Sequence, residues 1–510
     1  MSVTIRYHMI EHWPPLAWVA ECCSERRGVS VYHGCRVETR GDWFCEAVWP
    51  GDFEAGDFDR HEVVFGSGGR LRERVMTFVS SAATVDRLQL AEKDGALVVS
   101  NSLPCLLEYI DADVDPSYSH YYGDFRTVIR GIKEYKSEIG TTQGAVELVY
   151  YYNISWNGNG WWIELKKQGD DQFFDYHDYV QYIESVVRGI GINMSANGRR
   201  YPYRPLGTIS AGYDSPAVAT IAAREIGLRE VLTFTQARGG EDDSGTAIAD
   251  CLGLTTIEVD RDAWRAIPGA SVPHLACNAY GEDVHYAAAE ESLKGRVLFT
   301  GHTGDRAWGK EPAGGLNPDL PRGDPVGLSL SEARLWYGAL HCPVPFMGIR
   351  RIEQLFRITH SEDMQPWDHG GDYSRPIPRR LVEEAGVPRA LFGQSKLASA
   401  VVLWRRDEAF LPERELDDLR AWISEHEDSW IRQGLRSPLQ KKRTEKLLTT
   451  LMLPYRPIHS LASRIPGLKP YSARVRQLDP VLKPDPLFTA LFPWALAHAK
   501  RRYRGEMADF

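Results

Sequence analysis

Ser210, Ala211, Gly212, Tyr213, Asp214 and Ser215, followed by Pro216, stand directly between an apolar run, Leu206 to Ile209, and a stretch with helical periodicity from Ser215 to Ile226. A strand that empties into a small-residue loop and then a helix aims several backbone N–H groups and the positive helix end at one point. That is a cradle for phosphate. The serine hydroxyls add donors, and the Asp214 carboxylate can hold a magnesium ion that bridges phosphate oxygens. The same residue types also suit a plain turn packing a strand against a helix.

The elements that must position this loop follow from hydrophobic rhythm. Up to about Gly169 the chain is rich in Trp, Tyr, Val and Gly, with short alternating runs such as Gly95 to Asn101 and Val146 to Tyr152, which predict antiparallel strands. The polar stretch Lys167 to Gln172 predicts a linker. Beyond it, Tyr176 to Gly191 has helical periodicity. Strand and helix patterns then alternate through Val231 to Thr235, Ser244 to Leu252, Thr256 to Val259, Tyr286 to Leu293 and Val297 to Thr300. That alternation predicts a parallel sheet wound with helices. After Gly323 the pattern is mostly helical with Pro-marked breaks, and no internal repeat or low-complexity segment is seen. The expected organisation is therefore a β-rich domain over residues 1–170 and an α/β domain over residues 171–510, the latter with a basic helical C-terminal part.

Composition narrows the function classes. With 43% hydrophobic and 25% charged residues the 510-residue chain is ordinary globular protein, neither disordered nor fibrous. Its formal charge of −9 gives no global pull toward nucleic acid or an anionic membrane. The average hides a local +11 from Ile431 to Phe510, which leaves −20 on the rest. Eight cysteines without C-x-x-C spacing predict free thiols in a reducing compartment rather than disulfides or zinc. The N-terminus lacks a basic region followed by an apolar core, and no apolar run reaches the roughly 18 residues of a membrane span. The longest, Pro486 to Ala499, reads as a buried helix, and a cytoplasmic location is expected.

The loop at Ser210 to Ser215 resembles the pyrophosphate loop, S-G-G-x-D-S, of the asparagine synthetase superfamily of ATP pyrophosphatases, with Ala211 in place of the first Gly. The order that follows is similar too: Val231 to Thr235, the acidic Glu241 to Ser244, the helix ending in Leu252-Gly253-Leu254, and Ile257 to Val259. Leu298 to Gly309 resembles the family's L-x-S-G-D-G-G-D-E-L-F-G segment, Val344 to Phe346 its V-P-F stretch, and Gly386 to Lys396 the late helix and loop that deliver a catalytic Lys. Gly304 to Lys310 also fits G-x-x-x-x-G-K, but Glu311 stands where a Walker loop needs Ser or Thr, so that reading is rejected.

The resemblance implies a PP-loop α/β synthetase domain behind a glutaminase-like, Ntn-type sandwich, with ATP and Mg2+ as cofactors. It implies that Ser210, Ala211, Gly212, Tyr213, Asp214, Ser215, Thr233, Phe234, Thr235, Gly301 and Gly304 line the nucleotide site. Asp214 and Asp305 would carry the metal, and Lys396 would stabilise the transition states. Asp305 as a helix cap and Lys396 as a solvated surface residue are the bland alternatives.

Two departures shape the expected reaction. The glutaminase Cys of the family is replaced by Ser2, a poorer unassisted nucleophile, so glutamine hydrolysis is not expected. β-Lactam synthetases and lasso-peptide cyclases share this loss and use an amine already present in the substrate. In the second motif His302 replaces the first Asp, and the V-P-F register puts His341 where a base partner falls. A His302/His341 pair is therefore the candidate general base, with structural, hydrogen-bonded histidines as the alternative. Glu282 is the candidate contact for the substrate amine.

The expected activity is an AMP-forming amide ligase acting on a small-molecule or peptide carboxylate and an amine. An ammonia-dependent amidotransferase or a non-catalytic ATP-binding relative are the other readings. Arg379, Arg380 and the tail arginines are candidates to grip an anionic substrate. The basic runs Lys441 to Arg443 and Lys500 to Arg502 raise a tRNA-modifying pyrophosphatase, but no aromatic-interleaved nucleic-acid module accompanies them. No membrane or nucleic-acid partner is expected, and the reading leaves room for a homodimer.

Overall fold

A computed structural model describes residues 3–24, 28–371, 373–401, 410–453, 457, 462, 465–468 and 485–506. Ser2 lies outside them, so its expected role is not addressed by the structure.

The first 164 residues form two sheets. A seven-stranded sheet runs, side by side, through Thr4–Met9, Gly28–His33, Trp18–Cys23, Ala96–Ser100, Leu88–Lys93, Gly144–Val149 and Glu138–Thr141. A six-stranded sheet runs through Trp161–Glu164, Asn153–Trp156, Val75–Val79, Phe65–Arg72, Trp43–Val48 and Glu38–Thr39. Every pairing is antiparallel except that of Thr4–Met9 with Gly28–His33. The hairpin at Lys93 turns through Asp94 and Gly95, both at positive φ, the geometry that matches the natural strand twist. Trp18 and Val99 of one sheet meet Phe44, Phe78 and Trp156 of the other in a shared apolar layer, with the Trp18 and Phe44 rings edge-on at 5.0 Å.

Residues 165–175 have no regular element. Asp175 then caps the helix Tyr176–Met194 by accepting the Asp178 N–H at 3.0 Å. The following strands build one parallel sheet of five, in the spatial order Thr255–Val259, Glu230–Phe234, Arg204–Thr208, Arg296–Thr300, Leu340–Pro343. The strand Arg296–Thr300 is buried on both faces: Val297 and Phe299 enter one apolar core while Leu298 between them enters the other. The fifth strand was not expected in the stretch after Gly323. Leu340–Pro343 is four residues long and fully buried, too short to show alternation.

The strand order places a reversal in the middle. From Arg204–Thr208 the chain winds outward to one side, and with Arg296–Thr300 it winds to the other. The loops leaving these two neighbours diverge at their carboxyl ends and leave a crevice there. The Ser210 loop and the Gly301 turn are the two lips of that crevice. The segment from Pro486 packs as expected, as a short 3-10 turn and the helix Leu491–Arg504, whose Trp494, Ala495 and Ala499 are fully buried. Among the described residues no helix is long and apolar enough to cross a membrane.

Candidate functional site

The crevice holds a cavity of about 250 Å³ lined by the Ser210 loop, the Gly301–Asp305 turn and the segment 396–400. Ser210 Oγ shares a hydrogen bond with Ser215 Oγ at 3.0 Å and accepts the Gly212 N–H at 3.3 Å, which folds the loop over the helix Asp214–Ile226. Ala211 belongs to the loop but does not line the cavity. Its N–H bonds to the Asp243 carbonyl and its carbonyl accepts the Gly393 N–H at 2.8 Å.

The two glycines of the second motif are required by close approach. A Cβ on Gly301 would lie 2.6 Å from the Asp214 carbonyl carbon, and one on Gly304 would lie 2.3 Å from Asp214 Cγ. Small residues there let the two lips touch, which brings Asp214 and Asp305 to one end of the cavity. Burial pushes the Asp214 carboxyl above its usual range, opposed by Arg375 and Lys396 and aided by the like charge of Asp305. One Asp214 oxygen pairs with the Arg375 guanidinium, and the other, Oδ1, is buried without a hydrogen-bond partner.

Lys396 begins a strap, residues 396–400, that lines the cavity. The strap is laced down by Gly393 to Ala211, by the Ala398 carbonyl accepting the Arg238 N–H, by the Ser399 carbonyl accepting from Arg261 Nε at 2.7 Å, and by Val401 to the Glu282 carbonyl. The lysine itself is exposed and faces the cavity.

The apolar wall comes from Leu232 and Phe234, with the Phe234 ring 4.4 Å from His285 and 5.1 Å from Tyr286. Thr233 and Thr235, expected beside Phe234, are turned away. Thr233 Oγ1 is buried and accepts the Gly245 N–H at 3.0 Å, and Thr235 is held by backbone bonds to Val259 and Asp243. Strand alternation explains this, since residues 232 and 234 share one face and 233 the other.

His302 lines the cavity and His341 lies behind it, their rings perpendicular with centroids 5.0 Å apart. His341 Nε2 is 2.8 Å from Thr300 Oγ1. Withdrawal from water pushes the His302 imidazole down to about 3, with Arg322 assisting, and burial pushes His341 well down as well. Both rings are therefore neutral at neutral pH, and both Nδ1 atoms are buried without partners.

Glu282 does not line the cavity. It is buried behind it, both oxygens unpartnered, and burial together with neighbouring Asp283 pushes its carboxyl well up. The acid that reaches the cavity is the next residue. Asp283 Oδ2 accepts from Gly327 N–H at 2.9 Å and Ser329 Oγ at 2.6 Å, and burial pushes it up to about 6.

Arg379 and Arg380 are not available to a substrate. Arg379 bonds Glu383 at 3.1 Å and the Tyr213 hydroxyl, and Arg380 bonds Glu384 and Asp363, each at 2.7 Å. The tail's Arg504 pairs with Glu108 at 2.8 Å, away from the cavity. Lys310, the lysine of the rejected Walker pattern, ties down Asp368 at 2.7 Å.

The sequence reading missed Leu232, Asp243, Asp283, His285, Tyr286, Asp324, Tyr373 and Arg375, all of which line the cavity. Asp283, beside Glu282, Leu232, in phase with Phe234, and Asp243, in the acidic loop Glu241 to Ser244, left a local signal.

A divalent cation is compatible with the acid end. Asp214 Oδ1 is an acceptor without a donor, beside a second carboxylate, which suits a magnesium ion taking its other ligands from phosphate and water. Among the described residues no group of three or more His, Cys, Asp or Glu side chains is placed to hold a metal alone. Searches against family models and against curated proteins return no match for this chain.

Proposed function

We propose that the chain is an ATP- and Mg2+-dependent ligase that forms an amide through an acyl adenylate. A substrate carboxylate attacks the α-phosphorus of ATP and pyrophosphate leaves. An amine then attacks the acyl carbon, losing a proton, and AMP leaves. The observation that carries this reading is the meeting of the Ser210–Ser215 loop and the Gly301–Asp305 turn at the sheet's reversal point, with two carboxylates and Lys396 facing one cavity.

The N–H groups at the start of helix Asp214–Ile226 and the Ser210 and Ser215 hydroxyls would bind the leaving pyrophosphate. Asp214 and Asp305 would hold magnesium, which when bound neutralises phosphate charge and orients the chain of phosphates. Leu232 and Phe234 offer the base an apolar wall. Lys396 faces the cavity and would meet charge developing near the α-phosphate. Neutral His302, on the cavity wall with its Nδ1 buried against Gly327, is the candidate to take the amine's proton, and Asp283 lines the same cavity.

The amine is either part of the substrate, as in β-lactam or lasso-peptide formation, or free ammonia. Stimulation of turnover by ammonium separates the two. The Arg375 pair on Asp214 favours one other reading, a nucleotide-binding relative without chemistry. ATP–pyrophosphate exchange against a panel of amino-acid-like and peptide carboxylates decides it: exchange with AMP as product supports the ligase, and ADP as product refutes it.

A further inference from the structure

Arg375 stands out among the cavity residues because nothing in the motifs announces it. It precedes Pro376, which keeps it out of the helix Pro376–Glu384, and its backbone is extended at φ −134° and ψ 86°. The loop that carries it is anchored without it. Ser374 Oγ donates to Asp368 Oδ1 at 2.6 Å, and Lys310 holds the other Asp368 oxygen at 2.7 Å. On the far side Arg379 is fixed by Glu383 and Tyr213.

The Arg375 side chain, by contrast, has one hydrogen-bond partner among the described residues, Asp214, and it lies on the cavity wall over the Tyr373 ring at 5.5 Å. A guanidinium can therefore change partner here without unfolding its loop. Asp305 lies near enough to Asp214 on the same cavity to act on it as a like charge, and without a divalent cation a positive charge here offsets that repulsion. A guanidinium also binds phosphate oxygens as readily as carboxylate oxygens, through the same fork.

We propose that Arg375 is the resident counter-ion of Asp214, yielding that carboxylate to a divalent cation only when a di- or triphosphate arrives to take up its guanidinium. Metal binding is thereby conditional on nucleotide, and Arg375 becomes a ligand of the phosphates. This rests on the ligase reading and adds to it a residue that the loop motifs do not contain.

The test uses the full chain with Mn2+ alone, followed by electron paramagnetic resonance, and with inorganic pyrophosphate alone, followed by calorimetry. Arg375→Gln is expected to bind Mn2+ at least tenfold more tightly than the wild type and pyrophosphate at least tenfold more weakly. Arg375→Lys, which keeps the charge but loses the fork and some reach, is expected to fall between them on both measurements. It carries the test if the Gln variant does not fold. Mn2+ affinity unchanged in these variants overturns the proposal, and so does unchanged pyrophosphate affinity. If the wild type still releases pyrophosphate from ATP in that case, the ligase reading survives it. A wild type that neither binds pyrophosphate nor releases it from ATP brings down both.

Discussion

The contact between the two lips of the crevice is the most exposed point of this structure to experiment, and Gly301→Ala addresses it directly. The new methyl would sit 2.6 Å from the Asp214 carbonyl carbon, 2.7 Å from Asp214 Cβ and 2.7 Å from Ser215 N. Two of these three neighbours are backbone, one lip leaves a strand and the other enters a helix, so no rotamer change relieves the clash. Overpacking of this kind costs about 1–3 kcal/mol, which lowers Tm by roughly 2–10 °C in a domain of this size. Moving the lips apart also pulls Asp214 from Asp305, so ATP–pyrophosphate exchange should fall further than stability does.

Gly323→Ala is the matched control. Its Cβ would meet Asp305 Oδ2 at 3.5 Å and the Ala313 methyl at 3.7 Å, ordinary contacts, and its expected effect is within about 0.5 kcal/mol. Melting curves at one scan rate for the three proteins, with exchange measured alongside, give the comparison. A Gly301→Ala protein that melts with the wild type would mean that the lips do not touch, and the reasoning from the sheet's reversal point would fail.

Other expectations follow from the same geometry. His302→Phe should leave ATP–pyrophosphate exchange within a few-fold of wild type while lowering amide formation by about 10²–10⁴-fold; full retained turnover would remove His302 as the base. Lys396→Met should lower pyrophosphate release by about 10²–10³-fold with nucleotide binding little changed, as judged by titration with an ATP analogue. Glu415, buried with Oε2 accepting from Ser271, has its carboxyl pushed up to about 7 by burial. A folded-state value above the unfolded one means that its stabilisation is full below about pH 4.5 and lost as pH rises through about 7. Glu415→Gln should therefore gain on the wild type between pH 5 and 8, by on the order of 3 kcal/mol at most, in denaturant melts at each pH.

What the sequence disclosed divides along a physical line. The Ser210–Ser215 loop, the helix after it and the strand before it were legible because strand, loop and helix are consecutive and their signals are local. The parallel sheet was legible from alternation, but its order was not, since order depends on which apolar faces find each other. Thr233 and Thr235 were assigned to the cavity because a motif comparison carries a whole strand across, whereas a strand presents only alternate residues to one side. Glu282 and Asp283 show the same limit at one residue's resolution: two adjacent acids, of which the turn sends only the second to the cavity. Arg375 reaches Asp214 across 161 positions of chain, and no local pattern encodes such a meeting.

The segment behind His302 and Asp324 is held by both sequence regions. Arg322 donates to the Thr84 carbonyl at 3.3 Å, and a Cβ on Gly327 would fall 2.8 Å from Val85 Cγ1 and 3.0 Å from His302 Nδ1. Gly327 thus passes between Val85 and the candidate base, at φ +93°, where a side chain would be both strained and obstructed. A few residues on, Arg334 pairs with Glu46 at 2.6 Å and Asp86 at 3.0 Å in full burial. Removing one member of such a pair costs about 3–5 kcal/mol because the partner charge stays buried and unpaired. The residues 324–334, which bring Asp324 to the cavity wall and Gly327 and Ser329 to Asp283, therefore take their position as much from the β-rich region as from the parallel sheet. Whatever chemistry the first 170 residues do or do not perform, the segment from Thr84 to Arg87 gives them a place in the geometry of the site.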